Sequence, residues 1–144
     1  MYLELKFDKN KIIKLSSEIS ESMDKLHNLS NINKEDFLSD PYKIASAKYF
    51  LIVSIEGTID ICNHLISMNK LRAPEDYADS FRVIGNAGIL KKDFVKKLVE
   101  MARFRNRLVH IYWEVDDELI YTFINEDISD IDDFIKKITN HLNL

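Results

Sequence analysis

A chain of 144 residues with 46% apolar and 31% charged side chains is long enough for one compact domain with a sizeable core, too short for two, and too apolar to be disordered. A net charge of −4 argues against broad electrostatic adhesion to nucleic acid. The lone cysteine, Cys62, rules out an internal disulfide and any cysteine-based metal site, and three Gly with two Pro leave few sharp turns.

The first residues, Met1 to Lys11, carry Glu4, Lys6, Asp8 and Lys9 and lack the apolar stretch of a signal peptide. The longest unbroken apolar run, Tyr49 to Val53, is too short to span a bilayer. A cytoplasmic protein with no membrane partner is the expectation. Lys11 to Leu29 places Ile12, Leu15, Ile19, Met23 and Leu26 at three- and four-residue steps, which predicts an amphipathic helix. Asn33 can cap a short turn through Leu38, and Asp40-Pro41 is a strong helix start. From Pro41 to Met68 apolar residues cover most of the helix circumference, so this segment must be enclosed. Gly57 costs about 1 kcal/mol relative to Ala there, a cost that close approach of another helix would justify. Cys62, among Ile61, Leu65 and Ile66, reads as a buried inert thiol.

Ala73-Pro74-Glu75-Asp76 is expected to open the next helix, with Gly88 as its stop. Lys91 to Tyr112 is predicted as a long helix with the stripe Phe94, Leu98, Met101, Leu108, Tyr112. Its Lys91–Arg107 portion holds seven Lys/Arg against Asp93 and Glu100, whereas Asp116 to Asp133 holds eight acids and no base. Leu119 to Ile124 suits either strand or helix, and a last helix starts near Ser129. The reading is a single all-α domain over 1–144: an antiparallel bundle of about five helices.

One position breaks the pattern. Arg105 falls on the apolar line of its helix, where a guanidinium needs a carboxylate, an interface or a cleft. On the central helix, Glu56, Asp60, Asn63 and Ser67 form a polar stripe that could supply partners, with His64 on its shoulder. Asp60 and His64 alone are half a metal site at most, and no metal or cofactor is called for. Asn106 and His110 are four apart and share a helical face, so the amide can fix the imidazole. Arg105 and His110 are five apart, roughly 140° around an ideal helix. To act on one phosphate they need the helix to end near Val109, or two copies to meet.

Arg105-Asn106-Arg107-Leu108-Val109-His110-Ile111-Tyr112 resembles the Arg-x4-His-x-Tyr signature of the HEPN superfamily, in particular the HepT-like toxins. Glu56 to Leu65 is similar to that family's second signature helix, and Tyr77-Ala78-Asp79-Ser80-Phe81 and Val115-Asp116 to its flanking signatures. The resemblance implies a homodimer whose two motifs face a shared cleft, metal-independent RNA cleavage, and a toxin-antitoxin setting. The implied partner is a minimal nucleotidyltransferase (MNT) antitoxin that places AMP on Tyr112. His110 and Arg105 are the expected catalytic pair, with Asn106, Tyr112 and Asp60 in support and Arg103, Arg107 and Lys97 attracting RNA. A non-catalytic nucleotide-binding module, and a structural dimer with Arg105 locked to Asp60 or Glu56, remain the alternatives.

Overall fold

The computed structural model describes residues 4–110 and 115–144. Among them are seven helices and no strand: α1 (Lys9–Ser30), α2 (Lys34–Leu38), α3 (Pro41–Met68), α4 (Tyr77–Asn86), α5 (Lys92–Val109), α6 (Asp117–Glu126) and α7 (Ser129–His141). The all-α reading holds, but the count is seven and not five. The capped turn after Asn33 is a helix of its own, and the ambiguous acidic stretch is helical as α6.

Side-chain caps set most of the starts. Asp8 accepts the Lys11 N–H, Asn33 the Asp36 N–H, and Asp40 the N–H groups of Tyr42 and Lys43 ahead of Pro41. Each satisfies donors that the first helical turn leaves open. The fourth helix begins later than expected. Asp76 caps it by accepting the Asp79 N–H at 2.7 Å, so Ala73 to Asp76 form its approach and not its first turn. Gly88, at φ +83°, follows the C-cap Ala87 and lets the chain reverse.

The central element is α3, which packs against every other helix: α1 along its length, and α2, α4, α5, α6 and α7 around it. By length and composition it is the one helix among the described residues that could cross a bilayer, although its longest uninterrupted apolar run is short. Enclosure by its neighbours accounts for that hydropathy, with Leu51, Ile55, Ile61, Cys62 and Leu65 fully buried. Burial pushes the Cys62 thiol far above its usual pKa, as befits an inert core side chain.

Helices α1 and α3 run antiparallel. The start of α1 is tied to the end of α3 by Asp8 N–H donating to His64 Nε2 at 2.9 Å and by Lys6 exchanging two hydrogen bonds with Asn69. Midway, a Cβ on Gly57 would stand 2.5 Å from Ile19 Cγ1, so the glycine exists to let α1 lie close. α4 and α5 form a second antiparallel pair, with Gly85 against Val95 in the same manner. The acidic tail half closes the bundle through Phe104 stacked on Phe123 at 4.4 Å and Phe81 edge-on to Phe134 at 5.9 Å.

Candidate functional site

The misfit arginine is resolved by three neighbours. Arg105 sits on α5 with its side chain 13% exposed, and its Nε and Nη2 both donate to Glu56 Oε1 on α3. Its Nη1 donates to Asn106 Oδ1 at 3.1 Å, and its guanidinium carbon lies 4.7 Å from the ring centre of Tyr77 on α4. An ion pair, an amide and an aromatic face together hold the cation where a lone charge would be expelled. Glu56 is 43% exposed, so the pair lies at the rim of the core and is not sealed within it.

α5 ends near Val109, one of the two possibilities that the angular argument left open. Val109 is its last helical residue, and His110 turns to an extended conformation (φ −87°, ψ 113°) with its N–H still reaching Asn106 O at 3.3 Å. The extended ψ turns the chain only after His110, so its side chain still leaves on the helical face that carries Asn106. Arg105, Asn106, Val109 and His110 line one open cleft of about 550 Å³, opposite Tyr77 and Ser80 of α4 and Asn63 of α3. Ser80 Oγ donates to Asn63 Oδ1 at 2.8 Å across its floor.

Other expected residues lie elsewhere. Asp60 is exposed and outside the cleft, on the side of α3 where Lys11 and Glu18 of α1 act on it. Partial burial and the charge of Glu56 push its carboxyl above the usual range. His64 serves the α1–α3 clasp, and burial lowers its pKa. Among the described residues no group of three His, Cys, Asp or Glu is placed to hold a metal ion. Arg103 pairs with Glu100 at 2.6 Å, and with Lys97 and Arg107 it lines a second groove, between α5, α6 and α7, rather than the Arg105 cleft. Tyr112 lies outside the described residues.

Sequence reasoning assigned no role to Tyr77 or Ser80, although both sit in a quoted signature segment. It also passed over Asp79, which builds this wall of the cleft. Asp79 accepts from Arg72 Nη1 at 2.6 Å, Arg72 Nη2 at 3.2 Å and the Glu75 N–H at 2.9 Å. Arg72 and those donors hold its carboxyl at about 2. The result is a fixed segment 72–76 that presents Pro74, Asp76 and Tyr77 to the cleft. The available signal was Asp76-x-x-Asp79, a capping pair ahead of an apolar run.

A helical bundle with an arginine, an amide and a histidine gathered where one long helix ends defines the class: a small all-α protein with a polar cleft beside its core. The chain belongs to the Ribonuclease HepT-like family, whose pattern it matches over residues 19–138. It is 26% identical over 126 residues to the tRNA nuclease HepT of Aphanizomenon flos-aquae, covering 86% of this chain and 84% of that one. It is 28% identical over 83 residues to the mRNA nuclease HepT of Shewanella oneidensis, covering 58% of this chain and 62% of that one. In fold it is similar to the tri-AMPylated HEPN toxin of S. oneidensis solved in complex with an MNT antitoxin, with a TM-score of 0.85 at 22% identity, covering 92% of this chain and 99% of that one.

Proposed function

We propose that this protein is the toxin of a toxin-antitoxin pair, a ribonuclease that cuts RNA without a metal ion at a cleft shared by two protomers. The observation that carries the reading is Arg105, held by Glu56 and Tyr77 in the same cleft as His110. Membership of the HepT-like family and the nuclease relatives support it. The chemistry is attack of an RNA 2′-hydroxyl on its adjacent phosphate. A 2′-oxygen–phosphorus bond forms, the bond to the 5′-oxygen breaks, and a 2′,3′-cyclic phosphate remains. His110 takes the proton from the nucleophile or returns one to the departing oxygen. Arg105 steadies the charge on the crowded phosphate. Three of its N–H groups are engaged, and the remaining donors of the guanidinium fork suit a phosphate oxygen. Asn106 orients the arginine and the imidazole.

A binding module without catalysis is the competing reading, favoured by the carboxylate already paired with Arg105. Incubating labelled RNA with the protein in excess EDTA separates the two. Fragments ending in a cyclic phosphate are expected. Intact RNA under EDTA that is cut once a divalent ion is restored removes the metal-free mechanism, and RNA intact in both removes the nuclease.

In this setting the partner is an MNT nucleotidyltransferase, and Tyr112 is the proposed acceptor of AMP. Each AMP adds negative charge beside a site built for phosphate and so repels the substrate. Co-expression with the nucleotidyltransferase is expected to raise the intact mass by whole AMP units in wild type and not in Tyr112→Phe. An equal gain in both places the modification elsewhere.

A further inference from the structure

The seam between α4 and α5 does not end at the Arg105–His110 cleft. Towards the start of α5 it opens into a groove of about 740 Å³ whose charged lining is Arg72, Arg82, Lys92, Lys96 and Arg103 against the single carboxylate Glu100. The local acids do not cancel this. Glu100 is matched by Arg103, and Asp79 behind the groove is shared by Arg72 and Arg82. Lys92 and Lys96 are exposed, and neither is ion-paired among the described residues. The groove between α5, α6 and α7 is its opposite: Lys97, Arg103 and Arg107 there meet Glu100, Glu126, Asp127 and Asp130. α5 sends cations into both grooves, but in a chain of net charge −4 only those facing α4 are left in excess over the acids around them.

The groove and the cleft also share one line. Lys92, Lys96, Val99, Arg103, Asn106 and His110 follow alternating four- and three-residue steps and lie on one stripe of the helix. The first four line the groove, and the last two line the cleft. From Lys92 to Asn106 the stripe is about 21 Å long.

We propose that the α4–α5 groove is the track for the RNA strand flanking the scissile bond, with Lys92, Lys96 and Arg82 holding backbone phosphates as the strand runs into the Arg105–His110 cleft. The assignment rests on the ribonuclease reading for its substrate and adds where that substrate lies. It is sequence-independent binding, because lysines and arginines on phosphates position a strand and do not read bases.

The test is fluorescence anisotropy with a labelled, uncleavable 2′-O-methyl RNA of about 12 nucleotides, within the span such grooves cover, across a salt series. Lys92→Gln/Lys96→Gln is expected to weaken binding about 20-fold near 0.1 M salt and to flatten the salt slope by about 1.4, the loss of two single-strand phosphate contacts. Arg82→Gln gives an independent reading of the facing helix. Lys97→Gln/Arg107→Gln, in the acidic groove, is expected to bind within about twofold of wild type. Unchanged affinity and slope in the Lys92/Lys96 variant overturn the track, as does an equal loss in the Lys97/Arg107 variant. A Lys92/Lys96 variant that keeps its RNA affinity but no longer co-purifies with the nucleotidyltransferase gives the groove to a protein partner and also overturns it. Because the probe cannot be cut, a protein that binds along the groove yet never cleaves RNA refutes the nuclease reading alone, and an active nuclease with an indifferent groove refutes the track alone.

Discussion

Replacing His110 by Ala is expected to slow RNA cleavage by about 10²–10⁴-fold, the usual contribution of a positioned proton shuttle. Arg105→Ala is expected to cost about 10²–10³-fold through loss of charge stabilisation on the phosphate. The two variants disturb the fold differently, which makes the comparison useful. His110 is exposed beyond the end of α5, so its truncation leaves no core cavity and the melting temperature should hold. Arg105 is largely covered, but its partner Glu56 is 43% exposed and can be rehydrated when the guanidinium is gone. Arg105→Lys keeps the charge and loses the planar fork that spans Glu56 and a phosphate, so it should remain impaired. Initial rates on one labelled RNA, with melting curves of the same preparations, decide the matter. Wild-type rates in His110→Ala, purified in parallel, would sink the assignment of this histidine.

Much of the fold was legible because caps and apolar periodicity are local. Asn33 and Asp40 act within three residues of themselves, and α1 shows its buried face in sequence, although its cap Asp8 was passed over. The late start of α4 was not legible, because the Glu75 N–H is taken by Asp79 and the segment is pinned by Arg72 from outside the helix. The site divides in the same way. An arginine on an apolar line announces that something must receive it, and Glu56 was among the receivers foreseen. Sequence gives a residue's angle on its helix, however, and not the neighbour it will meet. Glu56 and Asp60 are one turn apart on α3, yet Glu56 faces α5 and Asp60 lies towards α1. Lys96 and Lys97 are consecutive on α5, and about 100° of rotation sends one to the basic groove with α4 and the other to the acidic groove with α6 and α7. Tyr77 could meet Arg105 only once the start of α4 was known to lie beside the end of α5.

Asp79→Asn is expected to destabilise the protein at neutral pH by about 2 kcal/mol, and to do so less and less as the solution is acidified. The side chain is 7% exposed and pairs with Arg72 at 2.6 Å and Arg82 at 3.6 Å. Its carboxyl titrates at about 2 in the fold against 3.8 for the free side chain, and each unit of such a difference is worth about 1.4 kcal/mol. A depressed pKa favours the fold wherever the unfolded chain's carboxyl is ionised, so the contribution is complete above about pH 4 to 5 and fades as pH falls through about 2. Asn retains an acceptor for the Glu75 N–H but abolishes the charge, which isolates the ionic part. Urea titrations of wild type and variant should show a wide gap in unfolding free energy at pH 7 that narrows steadily below pH 4. A gap of constant size would assign the effect to packing and remove the ion pair from the account. Cleavage should weaken alongside stability, because Asp79 fixes the segment that carries Pro74, Asp76 and Tyr77 to the cleft, and Tyr77 in turn steadies Arg105. The acid that holds this wall in place touches no substrate, yet the geometry of the catalytic cation depends on it.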